Sequence, residues 1–196
     1  MKKSTWIIIA LVAVVAIAFF WGIGKRNTFV GLEENVKTAW SQVESQYQRR
    51  ADLIPNLVAT VKGYAAHEKE TLESVIKARS EATSTQINAD NMDEVALQKF
   101  QDSQNALSSA LSKLMVVVER YPELKANENF MNLQHQLEGT ENRIAVARQD
   151  FNTVAQTYNK EIRLFPGSLV ASFCGFTARP YFSAQPGSDV APTVAF

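Results

Sequence analysis

The chain has 196 residues and no formal net charge, 20 Lys and Arg balancing 20 Asp and Glu. That length gives one domain with an appendage, and 46% hydrophobic residues against 20% charged excludes wholesale disorder. A single cysteine, Cys174, excludes an internal disulfide scaffold and a thiolate metal cluster, and charge neutrality leaves no electrostatic footprint for nucleic acid.

After a basic start at Lys2 and Lys3, the stretch from Trp6 to Ile23 carries no charge. At the helical rise it spans roughly 27 Å, enough for the hydrocarbon core of a bilayer. Trp6 and Trp21 lie near its ends, where indoles favour the headgroup level, and Lys25 and Arg26 close it. A cleaved signal peptide shares the basic start. Here, however, the run ends in Phe19-Phe20-Trp21-Gly22-Ile23-Gly24 rather than at a small-x-small cleavage site. An uncleaved single-pass anchor over residues 1–26 is therefore expected. Lys2 and Lys3 nearly balance Lys25, Arg26 and Lys37 across it, with a slight lean to the basic tip inside the cytoplasm and the body outside.

From about Phe29 to Arg163 apolar residues recur every three or four positions, the helical period. Phe130, Leu133, Leu137, Thr140, Ile144, Ala147, Phe151, Val154 and Tyr158 form one such seam; Ala96, Phe100, Ser103, Leu107, Ala110, Leu114, Val117 and Tyr121 form another. Large residues alternate with small ones, as interdigitating helices require. Tyr121-Pro122 ends the third stretch. The first half is one periodic run through Leu32, Val36, Trp40, Val43, Tyr47, Ile54, Val58, Val61, Ala65, Leu72 and Val75, with Pro55 inside it. Uninterrupted, residues 30–83 would reach roughly 80 Å, whereas the two later helices span only about 40 and 55 Å. A break at Asp52–Pro55 is preferred, with Asp52 as cap and Pro55 in the first turn; three long helices, the first kinked at Pro55, are the alternative. The polar segment 80–94 is the next connection. The expected fold is all-α: a transmembrane helix, then an antiparallel four-helix bundle over 27–164. Residues 165–196 hold Phe165, Phe173, Phe176, Phe182 and Phe196 among Gly and Pro, and read as an irregular arm. Leu169 to Phe182 is expected to dock on the bundle, the sharper reading being contact with a membrane surface or a second copy; the tip from Ser183 is expected to be flexible.

Chemistry is sparse. The residues three before His67 and His135 are Tyr64 and Asn132, so no Glu-x-x-His supports a di-metal bundle site, and no Cys/His spacing fits structural zinc. No phosphate loop or nucleophile elbow is present. No catalytic residue, metal or cofactor is expected. Cys174, between Phe173 and Gly175, reads as a small buried hydrophobe and His67 as part of a solvated face. Polar residues interrupt the seams instead. Arg49, Arg50, Asp52 and Asn56 cluster near the first proline, Glu68 falls on the inward side of the second helix, and Glu138, Glu141, Asn142, Arg148 and Asn152 flank the fourth seam. Arg50, Asp52, Asn56, Glu138, Glu141, Arg148 and Asn152 are the candidate polar network. Buried charges persist when paired and can fix helix register. A cleft for a polar ligand is the sharper alternative.

Several runs are distinctive: Ala39-Trp40-Ser41-Gln42-Val43, Gln48-Arg49-Arg50-Ala51-Asp52-Leu53-Ile54-Pro55-Asn56-Leu57-Val58, and Val61-Lys62-Gly63-Tyr64-Ala65-Ala66-His67-Glu68. With Arg120-Tyr121-Pro122-Glu123-Leu124-Lys125-Ala126-Asn127, Leu137-Glu138-Gly139-Thr140-Glu141-Asn142-Arg143-Ile144 and Tyr158-Asn159, they resemble the bacterial LemA family up to about Phe182. Asp150-Phe151-Asn152 departs from the aromatic pair often found there. The resemblance implies an N-terminal transmembrane helix, a helical body and no established enzyme activity. The expected protein is therefore a non-enzymatic single-pass protein of the bacterial cytoplasmic membrane, acting as a scaffold or interaction module. Its expected partners are the membrane and either copies of itself or other membrane proteins, without nucleic acid. A sensor using the polar network is the alternative.

Overall fold

The computed structural model describes residues 3–183, with side chains from Trp6 onward; Phe196 and the tip beyond Ser183 lie outside the described residues. The described residues form six α-helices and a 3-10 turn, with no strand among them: α1 Lys3–Tyr64, α2 Lys69–Ser84, the turn Ala89–Asn91, α3 Glu94–Val118, α4 Pro122–Lys125, α5 Glu128–Arg163 and α6 Gly167–Cys174. The all-helical expectation holds. Contacts divide the chain into two compact units, one comprising residues up to Arg50 with Gly139–Arg179, the other Ala51–Glu138 with the segment from Pro180.

The preferred break at Asp52–Pro55 is not there. Pro55 sits inside α1, which ends at Tyr64, just after Gly63, a poor helix former. The first connection is the turn at residues 65–68. Proline ordinarily disrupts a helix by removing the N–H that would bond the carbonyl four residues earlier. Here that carbonyl belongs to Ala51, and Arg79 of α2 donates its Nε–H to it at 2.7 Å. The lost backbone donor is replaced by a side chain, and the apolar seam runs on in phase through Ile54, Leu57, Val58, Val61 and Ala65, all buried.

In the second unit the end of α1, α2, α3 and the start of α5 share one core, built on Ile54, Leu57, Val61, Val75, Leu107, Leu114, Leu124 and Phe130. Asp93 caps α3 by accepting the Ala96 N–H at 2.7 Å, and the Asn127 carboxamide oxygen accepts the Phe130 N–H at 3.0 Å at the start of α5. Polar α2 extends to Ser84, so the second connection is shorter than the expected 80–94. α3 ends at Val118, before the Tyr121-Pro122 pair that is expected to stop it, but the Pro122–Asn127 connection is not all loop: Pro122 opens the four-residue α4. In its first turns α3 buries Leu97, Gln101 and Gln104 rather than Ala96 and Ser103. Gln104 is accommodated because its amide donates to the Ala82 carbonyl at 3.1 Å.

In the first unit the earlier part of α1 packs on the later part of α5. Phe29, Val36, Trp40, Val43 and Tyr47 meet Thr140, Ile144, Ala147, Phe151 and Tyr158, all buried. The Trp40 and Phe151 rings stand edge to face with centroids 5.6 Å apart. From Trp6 to Trp21, by contrast, every side chain of α1 is exposed. After the Phe165-Pro166-Gly167 stop the chain does not stay irregular: α6 forms and is closed by Gly175, whose φ of 78° is the left-handed conformation that favours glycine.

Candidate functional site

Arg50 is the most deeply buried charged residue of the seam, 1% exposed. Helix α1 places it one turn beyond Tyr47, and its guanidinium stacks over that ring, 5.1 Å from the centroid. Its Nη1 donates to Glu141 Oε1 of α5 at 2.7 Å. Tyr47 also hydrogen-bonds Arg148, one further turn pair along α5. Burial pushes the Tyr47 phenol pKa up, against the opposing pull of the Arg148 and Arg50 charges. Burial likewise raises the Glu44 carboxyl, while a hydrogen bond with the Trp40 side chain pulls it back.

Four of the seven residues of the predicted network, Arg50, Glu141, Arg148 and Asn152, belong to the first unit, and three of these meet around Tyr47. Asn152 is half-buried. Asp52, Asn56 and Glu138 belong to the second unit and are exposed. Glu138 accepts from Gln134 at 3.0 Å and faces His135 Nδ1 at 3.8 Å. Glu68 is not on a helix seam but in the turn before α2, where its Oε1 accepts from Arg120 Nη2 at 2.9 Å and from the Tyr121 hydroxyl at 3.0 Å. That bond to Glu68 raises the Tyr121 phenol pKa. His67 is exposed in the same turn.

A second polar cluster is not evident from the seam pattern. Arg179, 6% exposed, donates through Nη2 to Glu33 Oε1 at 2.6 Å. Asn159 grips the same residue twice: its Nδ2 donates to the Arg179 carbonyl and its Oδ1 accepts the Arg179 N–H, both at 2.8 Å. The Tyr158 hydroxyl donates to the Thr177 carbonyl at 3.0 Å. These bonds hold the segment after α6 on α1 and α5. The Tyr158-Asn159 pair and a lone arginine in an apolar arm were the available sequence signals. Of the arm's aromatics, Phe176 packs edge to face on Phe29 at 5.5 Å and Phe182 is buried, but Phe173 is 94% exposed. Cys174 is exposed too, contrary to the buried-hydrophobe expectation, because α6 turns Gly167 and Ala171 inward instead.

A hollow of about 340 Å³ in the first unit is lined by Gln42, Gln46, Asn142, Arg143, Val146 and Asp150 among others, and Arg143 Nε donates to Gln46 across it at 3.3 Å. Its walls are mostly exposed residues, so it is a surface groove. Another, of about 580 Å³, lies in the second unit beside Ser84, Thr85, Ala96 and Lys99. Among the described residues no group of three or more His, Cys, Asp or Glu side chains is placed to hold a metal ion.

The fold and these clusters define an all-helical protein in which, among the described residues, one helix is long and apolar enough to cross a membrane. The chain belongs to the LemA family, whose model matches residues 39–196. It is 28% identical to the magnetosome protein MamQ 2 of Paramagnetospirillum magneticum over 84% of this chain and 67% of that protein. Its identity to MamQ of Magnetospirillum gryphiswaldense is also 28%, over 93% of this chain and 74% of the relative. The protein LemA of Metamycoplasma hominis is 23% identical over 86% of this chain and 74% of its own length.

Proposed function

We propose that this LemA-family chain is a non-catalytic, single-pass membrane protein that holds its helical body at the bacterial cytoplasmic membrane and acts there as a self-associating scaffold. The observation that carries the reading is α1 itself. Its exposed apolar stretch from Trp6 continues, in one helix, into the packed seam that starts at Phe29. An uncovered run of this length has a natural environment in lipid. Lys2 and Lys3 mark the inner side in this proposal, which leaves the body outside the cytoplasm. The polar cluster around Arg50 supports a role in register, because its guanidinium is already engaged by Glu141 and the Tyr47 ring.

Self-association is tested by the native mass of the full-length protein in mild detergent. A discrete multiple of the chain mass of 21.8 kDa is expected. A monomer across the accessible concentration range contradicts self-assembly.

A further inference from the structure

Helix α6 and the turn before it carry an apolar face that nothing in the first unit covers. Leu164 is 50% exposed, Phe165 80%, Leu169 64% and Phe173 94%. Leu169 and Phe173 stand one turn apart on the same side of α6, while Gly167 and Ala171 are buried on the other. No charged residue occurs from Leu164 to Ala178. Exposed large apolar side chains in such a cluster mark an interaction surface rather than ordinary scatter.

Its occupant follows from where α6 is fixed. A Cβ on Gly22 would lie 4.0 Å from Val170 Cγ2 of α6. Lys25 pairs with Glu161 of α5 at 3.3 Å. The Phe29 ring fills the space beside Gly167, 3.2 Å from where a Cβ there would stand, and meets Phe176. These contacts tie α6, the end of α5 and the segment after α6 to the stretch of α1 between Gly22 and Phe29, where the apolar span gives way to polar chain. Trp21, Lys25 and Arg26 mark the headgroup level on α1, and exposed Lys160 and Arg163 stand on the last turns of α5 just before the patch. An apolar face held at that depth, with cations beside it, is the pattern of an interfacial element.

We propose that Leu164, Phe165, Leu169 and Phe173 insert into the lipid interface beside the anchor, so that the first unit contacts the membrane at two points. The proposal rests on the membrane-spanning reading of α1. It fixes the tilt and rotation of the first unit at the bilayer, which a single helix leaves free.

The test uses the full chain in vesicles of phosphatidylcholine and phosphatidylglycerol. With Cys174→Ser as background, a nitroxide is attached in separate samples to Ile9→Cys, to Ser172→Cys and, as a water-exposed reference, to Ser112→Cys. Ser172 is an exposed serine on α6, so all four apolar residues stay in place. Collision rates with lipid-soluble oxygen and with a water-soluble nickel chelate give the depth of each label. The expected result is an oxygen-to-nickel ratio at residue 172 several-fold above that at residue 112 and below that at residue 9. A deep label at residue 9 with a water-like label at residue 172 overturns the interfacial helix and leaves the anchor standing. A water-like label at residue 9 overturns the anchor, and the interfacial helix with it. Spin–spin broadening between residue 172 labels, with shielding from both reagents, would assign the patch to a second copy of the chain and also overturn the proposal.

Discussion

The Arg79–Ala51 hydrogen bond is the most instructive single contact in the chain. A proline in mid-helix leaves a buried carbonyl without its donor, and such a group is expensive when nothing replaces it. Arg79→Met is expected to destabilise the protein by about 1–3 kcal/mol. In a Pro55→Ala background the Ala51 carbonyl regains a backbone donor, so the same substitution should cost much less. Chemical denaturation followed by circular dichroism in mild detergent measures the cycle; equal effects in both backgrounds would mean that Arg79 acts elsewhere. Glu44 gives a pH prediction. Burial raises its folded-state pKa above the ordinary 4.5, so the folded protein binds the proton more tightly than the unfolded chain. Stability is then gained as pH falls through the raised value and levels off below the ordinary one. Glu44→Gln should remove that slope and raise the melting temperature modestly at neutral pH, with the difference vanishing near pH 4.

Individual helices were legible where periodicity decides burial. The α5 seam from Phe130 to Tyr158 is buried or partly buried throughout, because an amphipathic helix needs only local spacing to declare its inner face. The features that local spacing does not declare are non-local. The helix carries on past Asp52 because of a donor 28 residues further along the chain. Gln101 and Gln104 are buried because their amides reach backbone carbonyls of Ser183 and Ala82. Only part of the candidate network was legible: Arg50, Glu141 and Arg148 gather around Tyr47, whereas Glu33, Asn159 and Arg179 could not be linked by spacing. The Asn159 clamp yields its own prediction. Asn159→Asp keeps the acceptor for the Arg179 N–H but loses the donor to its carbonyl, and should destabilise by about 1–3 kcal/mol. Hydrogen exchange should rise chiefly across residues 176–183, while a uniform rise over α5 would show instead that Asn159 supports the whole helix.

For the molecule as a whole, the proposed function requires α1 to be both the membrane span and a structural helix of the body. A flexible tether between the two functions would make the anchor a mere leash and would undo the fixed placement of α6 beside it. Amide hydrogen exchange on the full-length protein in lipid nanodiscs tests this most directly, read across the peptides covering residues 18–64. Continuous protection is predicted from the end of the apolar stretch through Gly22–Thr28 and on past Asp52 to Val61. Rapid exchange at residues 22–28 would contradict the account by separating anchor from body, and rapid exchange at residues 51–57 would restore the break that Arg79 is held to prevent.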